Sequence, residues 1–286
     1  MTTIAQVLQS ATDYLSSAGL ESPRDDAEII IATVTETSRT YLITHHRQDL
    51  DPRELLQIWR WLEKRSQHYP IQYMRGFQEF YGHEFLVSAD VLIPRPETEL
   101  LVEVSLELLK GRRQPSILDL GTGSGCIAIS LLLEIPSLSA VATDVSPFAL
   151  GIVQANSFRH NCVDRLRLLL CDVAEPLCGE QIKFDLVISN PPYVALTEKD
   201  TVSRSVIDFE PLVAIFGGHS GLEVIEKILK QSSGLVTESG NLVLELASGQ
   251  RPAVLSLAQR YGWLETDSRR DLAGIDRCVV FRQASR

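Results

Sequence analysis

Asp119-Leu120-Gly121-Thr122-Gly123-Ser124-Gly125-Cys126 decides how this 286-residue chain folds. The stretch follows an apolar run, Ser116–Leu120, that reads as a strand, and it opens a helical pattern running through Leu133. Glycines at such a junction let the backbone turn tightly and let a ligand come close to main-chain N–H groups. The next strand, Ala140–Thr143, ends at Asp144, where a carboxylate can accept hydrogen bonds from both hydroxyls of a ribose. A dinucleotide fingerprint requires Gly or Ala at position 126, and the chain has Cys126. The loop therefore points to a nucleoside ligand of another kind. The plainer alternative is a tight turn with Asp144 as the N-cap of the next helix.

Outward from the loop, strand and helix alternate. A helix from Pro147 towards Arg159, strands at Leu166–Cys171 and Phe184–Ser189, and a helix near Leu222–Leu229 come next. A strand at Asn241–Leu246, a helix at Pro252–Arg260 and two C-terminal strands complete the set. This alternation predicts an α/β fold with a doubly wound, mostly parallel sheet. Upstream, Ile4, Val7, Leu8, Ala11, Leu15 and Ala18 fall at 3.6-residue spacing before Gly19. Ser22-Pro23 and Asp51-Pro52 each supply an N-cap followed by a first-turn proline. Residues 1–75 are thus expected to form a small helical bundle. Residues 76–92, with aromatic runs around Gly82, are expected to form a hairpin linker, and 93–286 the α/β domain, whose first helix runs from Glu97 to Lys110.

A second motif carries the chemistry. Asn190-Pro191-Pro192-Tyr193 sits at the C-terminal end of the strand Phe184–Ser189, where open α/β sheets bind ligands. Two prolines stiffen the turn and keep their carbonyls as acceptors. A planar amide or amine can give its two N–H groups to the Asn190 side-chain oxygen and the Pro191 carbonyl, with the Tyr193 ring against its face. A plain turn after a strand is the alternative. It leaves unexplained why this turn accompanies a glycine-rich loop two strands earlier.

Composition narrows the class. Lys and Arg number 27 against 37 Asp and Glu, a formal charge of −10. Eight basic and ten acidic residues lie up to Arg75, and 19 and 27 beyond it, so neither part has the basic excess that collects a phosphate backbone. No apolar run approaches the roughly 20 residues that span a bilayer, and no Lys or Arg precedes Arg24, so neither a membrane span nor a targeting segment is expected. Cys126, Cys162, Cys171, Cys178 and Cys278 form no C-x-x-C pair, which suits a reducing, cytoplasmic location. His45, His46, His68, His83, His160 and His219 lack ligand spacing, so no metal is expected.

The chain resembles the release-factor glutamine methyltransferases, the HemK/PrmC family, over nearly its whole length. The resemblance rests on Pro70-Ile71-Gln72-Tyr73, Ile93-Pro94-Arg95-Pro96-Glu97-Thr98-Glu99, the glycine loop, Asp144, Asn190 to Tyr193, Phe209-Glu210-Pro211 and Asp271-Leu272-Ala273-Gly274. It implies a class I S-adenosylmethionine-dependent methyltransferase, Rossmann-like with a mostly parallel seven-stranded sheet, preceded by a helical domain that docks the substrate. The activity implied is methyl transfer to the glutamine amide of the Gly-Gly-Gln tripeptide in class I peptide-chain release factors, which modulates translation termination. Gly121, Thr122, Gly123, Ser124 and Gly125 would hold the methionine part of the cofactor, Asp144 the ribose, and Asp172 and Val173 the adenine. Asn190, also beside the cofactor, would bind the substrate glutamine with Pro191, Pro192 and Tyr193; Asn190, Pro191 and Tyr193 would act catalytically. Relatives often have an aromatic residue where Val173 stands, and Glu-Ile-Gly where this chain has Glu245-Leu246-Ala247.

Two rival readings use the same motifs. An adenine-amino methyltransferase acting on nucleic acid needs a polyanion site, which a −10 chain without a basic arm serves poorly. A catalytically inactive methyltransferase fold used as a binding factor leaves the intact Asn190–Tyr193 motif without a purpose.

Overall fold

The computed structural model describes residues 2–284; Met1, Ser285 and Arg286, at the ends of the expected 1–75 and 93–286 spans, lie outside the described residues. The chain divides into two compact units. The first comprises the residues up to Gly76 together with 204–209. Its helices are α1 (Ile4–Ser17), α2 (Pro23–Val34), α3 (Arg39–Thr44), α4 (Pro52–Ser66) and α5 (Ile71–Arg75). Reciprocal capping pairs, Thr3 with Gln6 and Asp51 with Glu54, start α1 and α4. Ser22 stands at the N-cap of α2 but makes no side-chain cap bond. Ile4, Val7, Ala11 and Leu15 pack against Ile30, Ile31, Ile58 and Leu62, the periodic positions of three helices. The buried Asp26 is paired with Arg65 at 2.8 Å, so this acid belongs to the scaffold.

The second unit, residues 77–203 and the chain from Glu210, holds the sheet. It begins with the hairpin β1 (Phe77–Phe80) and β2 (His83–Leu86), then α6 (Glu99–Leu109), β3 (Ser116–Leu120), α7 (Cys126–Glu134), β4 (Ser139–Asp144), α8 (Pro147–Arg159), β5 (Leu166–Leu170) and β6 (Phe184–Ser189). The short α9 (Arg204–Ile207) belongs to the first unit. Then come α10 (Glu223–Ser232), β7 (Val236–Glu245), α11 (Arg251–Arg260), β8 (Trp263–Arg270) and β9 (Asp276–Gln283). The seven strands are ordered β5-β4-β3-β6-β7-β9-β8, and only β9 runs against the rest. This is the expected mostly parallel seven-stranded sheet.

Alternate residues of the central strands feed two cores, as strand geometry requires. Ile117, Leu186, Ile188 and Val243 join Leu101, Ile129 and Val153 from α6, α7 and α8. Leu118, Leu120, Val187 and Leu242 join Ile225, Ile228 and Val254 from α10 and α11. From β3 the chain steps through β4 to β5, then crosses to place β6 on the other side of β3. The C-terminal ends of β3 and β6 therefore flank a topological switch point, where such sheets bind ligands.

The expected linker at 76–92 is not a separate segment. Its hairpin clusters with the second unit because Phe80 and Phe85, both buried, enter the core beside α6–α8. The Asn156 side chain on α8 bonds both the N–H and the carbonyl of Leu86 (2.7 and 3.1 Å) and the Ser124 carbonyl (2.9 Å). One amide thus ties the hairpin to the glycine loop.

Candidate active site

The glycines of the loop do different work. Gly121, Gly123 and Gly125 all have positive φ (67°, 57° and 81°). A Cβ on Gly121 or Gly123 would meet no atom within 4 Å, whereas one on Gly125 would lie 2.9 Å from Val153 Cγ1 and 3.0 Å from Ile129 Cδ1. The first two keep a cleft open, and the third lets the loop pack onto α7 and α8. Asp144 reaches back from the end of β4. Its Oδ2 accepts from the Gly123 N–H and its Oδ1 from the Ser146 N–H, both at 2.9 Å. Ser146, whose hydroxyl accepts from the Ala149 N–H, is the side-chain cap of α8, so the N-cap alternative for Asp144 does not hold. Burial pushes the Asp144 carboxyl upward against these backbone bonds. Each of its oxygens keeps one lone pair for a further donor.

A cleft between β3 and β6 holds about 780 Å³ of empty space, much of it continuous with its open mouth. Gly121, Gly123, Asp144, Asp172, Val173, Asn190, Pro191 and Pro192 line it, with apolar walls from Leu92, Val145 and Ile228. Open space at two glycines, a carboxylate with spare acceptor positions and an apolar slot fit a nucleoside with an extended tail. Val173 is held at φ 60°, where a β-branched residue is strained by roughly 1–3 kcal/mol. Its carbonyl is fixed there by the Thr143 hydroxyl at 2.7 Å. Asp172, exposed at the cleft, is paired with Lys227 at 2.7 Å.

Four residues expected to touch cofactor or substrate are not among those lining the cleft. Thr122 and Ser124 are buried, and Thr122 donates to the buried Asp119 at 2.7 Å. Their side chains and Gly125 pack beneath the loop, Gly125 against Val153 and Ile129, while Gly121 and Gly123 face the cleft. Tyr193 is not among the residues lining the cleft beside the glycine loop. Its hydroxyl instead donates to Glu245 Oε1 at 3.1 Å.

That carboxylate is what sequence reasoning missed. Glu245, at the end of β7, is 1% exposed, and burial pushes its carboxyl up to about 7. Its Oε2 accepts from the Thr98 hydroxyl at 2.7 Å, and Thr98 Oγ1 accepts in turn from the Asn190 side-chain N–H at 2.9 Å. Among the described residues, Asn190 Oδ1 and the Pro191 carbonyl take no protein hydrogen bond. Arg95 is ion-paired with the buried Glu210, whose other oxygen accepts from the Ile93 N–H at 3.0 Å. Glu99 accepts from the Tyr81 N–H at 2.9 Å and holds the hairpin turn. Cys126 is buried and its thiol is pushed up to about 12 by burial, which leaves it unreactive.

The site turn is clamped by close backbone approach. A Cβ on Gly217 would lie 2.3 Å from the Pro192 carbonyl oxygen, and one on Gly221 2.3 Å from the Tyr193 carbonyl oxygen. The Gly217 N–H and Val194 carbonyl bond at 3.0 Å, and Gln250 Nε2 donates to the Tyr193 carbonyl at 2.8 Å. Gly217→Ala is expected to cost about 1–3 kcal/mol of stability through overpacking. Gly151→Ala on α8, where nothing lies within 4 Å, is expected to be neutral or slightly stabilising. Thermal unfolding of the two variants side by side checks the contrast; equal midpoints would show that the clamp is not tight.

Residues 6–76 match the family described as PrmC N-terminal domain, and 96–209 the methyltransferase small domain. A release factor glutamine methyltransferase from Koribacter versatilis is 39% identical over 98% of this chain and 99% of its own length. The chain belongs to the release factor glutamine methyltransferase family. A bifunctional methyltransferase from Rickettsia typhi is 35% identical over 96% of this chain, which spans 56% of that longer relative. The hMettl16 catalytic domain, solved in complex with MAT2A 3′UTR hairpin 1, shares the fold (TM-score 0.55, 18% identity, 83% of each chain). S-adenosylmethionine is the methyl donor in this family, and the cleft fits it as described. Among the described residues no helix is long and apolar enough to cross a membrane, and no three His, Cys, Asp or Glu side chains gather as a metal site.

Proposed function

We propose that this chain transfers a methyl group from S-adenosylmethionine to the side-chain amide nitrogen of the glutamine in the Gly-Gly-Gln motif of class I peptide-chain release factors. One observation carries the reading: two acceptors without a protein partner among the described residues, Asn190 Oδ1 and the Pro191 carbonyl, stand on a turn beside the glycine-lined cleft. A primary amide has two N–H groups to give them.

When bound, S-adenosylmethionine supplies an electrophilic methyl carbon on a sulfonium. Gly121, Gly123 and Asp144 would hold the nucleoside and its tail, Val173, Leu92 and Ile228 would cover the apolar part, and Asp172 would lie at the adenine side. Asn190, Pro191 and Pro192 place the target amide, with Tyr193 behind them fixing the turn. An amide nitrogen is a poor nucleophile because its lone pair is delocalised, and no ordinary side-chain base deprotonates it near neutral pH. Placement therefore dominates, and what this site can contribute is to hold the amide nitrogen in a near-attack position. The two acceptors fix it there and oppose the positive charge that grows on nitrogen. The proton then leaves to solvent, and no protein nucleophile takes part. The helical unit, residues 1–75, is assigned to docking the protein substrate, since its buried acids Asp26 and Glu28 are ion-paired within it and it bears no catalytic cluster among the described residues.

The test is labelled-methyl transfer by the full chain to a purified release factor, run beside DNA and RNA oligonucleotides. Label on the release factor alone supports the reading. Label on nucleic acid alone, with retention of the chain on heparin at low salt, favours the amino-methyltransferase rival. The reading also requires that residues 77–286 alone, if folded and cofactor-binding, label the whole factor poorly.

A further inference from the structure

The Thr98 hydroxyl has one hydrogen and two neighbours. Glu245 Oε2 lies 2.7 Å away and Asn190 Nδ2 2.9 Å away. An ionised carboxylate only accepts, so the hydrogen goes to Glu245 and Thr98 Oγ1 is left as an acceptor towards Asn190. A side-chain amide facing an acceptor must present its NH2 end. Its oxygen then points the other way, towards the cleft. The second Glu245 oxygen accepts from the Tyr193 hydroxyl at 3.1 Å, which steadies the far end of the same turn.

We propose that Glu245 is a positioning residue: ionised, it sets the direction of the Thr98 hydrogen bond, and through it holds the Asn190 amide with Oδ1 towards the substrate. This rests on the methyl-transfer reading above. When the carboxyl is protonated, its own hydrogen goes to Thr98 Oγ1. The Thr98 hydrogen is then free to turn to Asn190, and the favoured partner becomes the amide oxygen. The flipped amide offers its NH2 to the cleft, where a substrate NH2 needs an acceptor. Donor meets donor, and the substrate nitrogen loses its placement.

The groups around Glu245 set where this happens. Burial raises its carboxyl to about 7; Thr98, Tyr193 and Arg277 favour the ionised form, and Glu97 opposes it. Arg277 is itself held by Asp271 at 3.0 Å. The Tyr193 phenol and the nearby Cys126 and Cys278 thiols are all raised by burial, so they stay neutral and do not compete. The sign follows: the productive amide orientation is lost as pH falls through the neutral range.

The experiment uses the full-length protein with Glu245→Gln, Thr98→Val and Thr98→Ser. Transfer to a purified class I release factor is followed at saturating cofactor from about pH 5.5 to about pH 9, with cofactor affinity by calorimetry and the Asn190 side-chain amide by nitrogen NMR. The native protein should show a rising acid limb with a midpoint near 7, and the Asn190 amide signals should shift with the same midpoint. Glu245→Gln should lose the limb and fall about tenfold in kcat, with cofactor affinity within about twofold. Thr98→Val should fall likewise, and Thr98→Ser should restore both rate and limb. A native limb that survives in Glu245→Gln, or Asn190 signals that do not titrate, would overturn the proposal. The NMR arm needs no turnover, so titrating signals in a protein that methylates nothing leave this inference standing and remove the methyl-transfer reading instead.

Discussion

Asn190→Ala is expected to lower kcat for release-factor methylation by about 10²–10³, with cofactor affinity changed only a few-fold. Loss of one preorganised polar group facing a developing charge typically has that effect. The side chain contributes one of the two acceptors, and its other end is bonded to Thr98 rather than to the glycine loop, so the cradle survives its removal. Asn190→Asp sharpens the test. On sequence grounds it keeps an acceptor and should fall between Ala and the native residue. The structure changes that expectation. The new carboxylate and Glu245 then flank the single Thr98 hydroxyl hydrogen, which serves only one of them. Aspartate should therefore do no better than alanine near neutral pH. Single-turnover rates with calorimetric cofactor affinities check both; native turnover in a folded Asn190→Ala protein would show that the amide is held elsewhere.

The second large effect concerns Asp144. Asp144→Ala should weaken S-adenosylmethionine binding by about 1.5–3 kcal/mol, as for hydrogen bonds to a charged group, or roughly 10- to 150-fold in Kd. Two losses combine. The lone pairs that Asp144 would offer a ribose disappear, and the Gly123 and Ser146 N–H groups lose the carboxylate that orders them. Asp144→Asn keeps one acceptor oxygen and should lie between. Calorimetry on folded protein decides the matter, and unchanged affinity in Asp144→Ala would remove Asp144 from the ribose site.

Sequence reasoning reached the parts of the site that are local. The glycine loop and Asn190–Tyr193 each follow an apolar strand within a few residues, so strand, turn and chemistry lie in one window. It did not reach Thr98 and Glu245, which are 147 residues apart and meet only through the tertiary fold. In sequence Thr98 lies in the first turn of the expected helix Glu97–Lys110, and Glu245 within the expected strand Asn241–Leu246. Nor does sequence show why 217 and 221 are glycines, since the carbonyls that exclude a Cβ come from residues 192 and 193. The short helices Arg39–Thr44 and Arg204–Ile207 span too few residues for a periodicity to register. The early part of β7, from Val236, escapes notice because Glu238 and Ser239 are exposed and the pairing with β6 is irregular there. Nor does sequence separate the loop's positions: Gly121 and Gly123 line the cleft, whereas the Thr122 and Ser124 side chains are buried and Gly125 packs against Val153 and Ile129.

The most direct measurement is tandem mass spectrometry of a class I release factor incubated with the full chain and deuterated-methyl S-adenosylmethionine. The Gly-Gly-Gln peptide should gain one labelled methyl, with fragment ions placing it on the glutamine side-chain nitrogen. A labelled methyl on any other residue, or an unlabelled peptide from protein shown to bind the cofactor, would contradict the account.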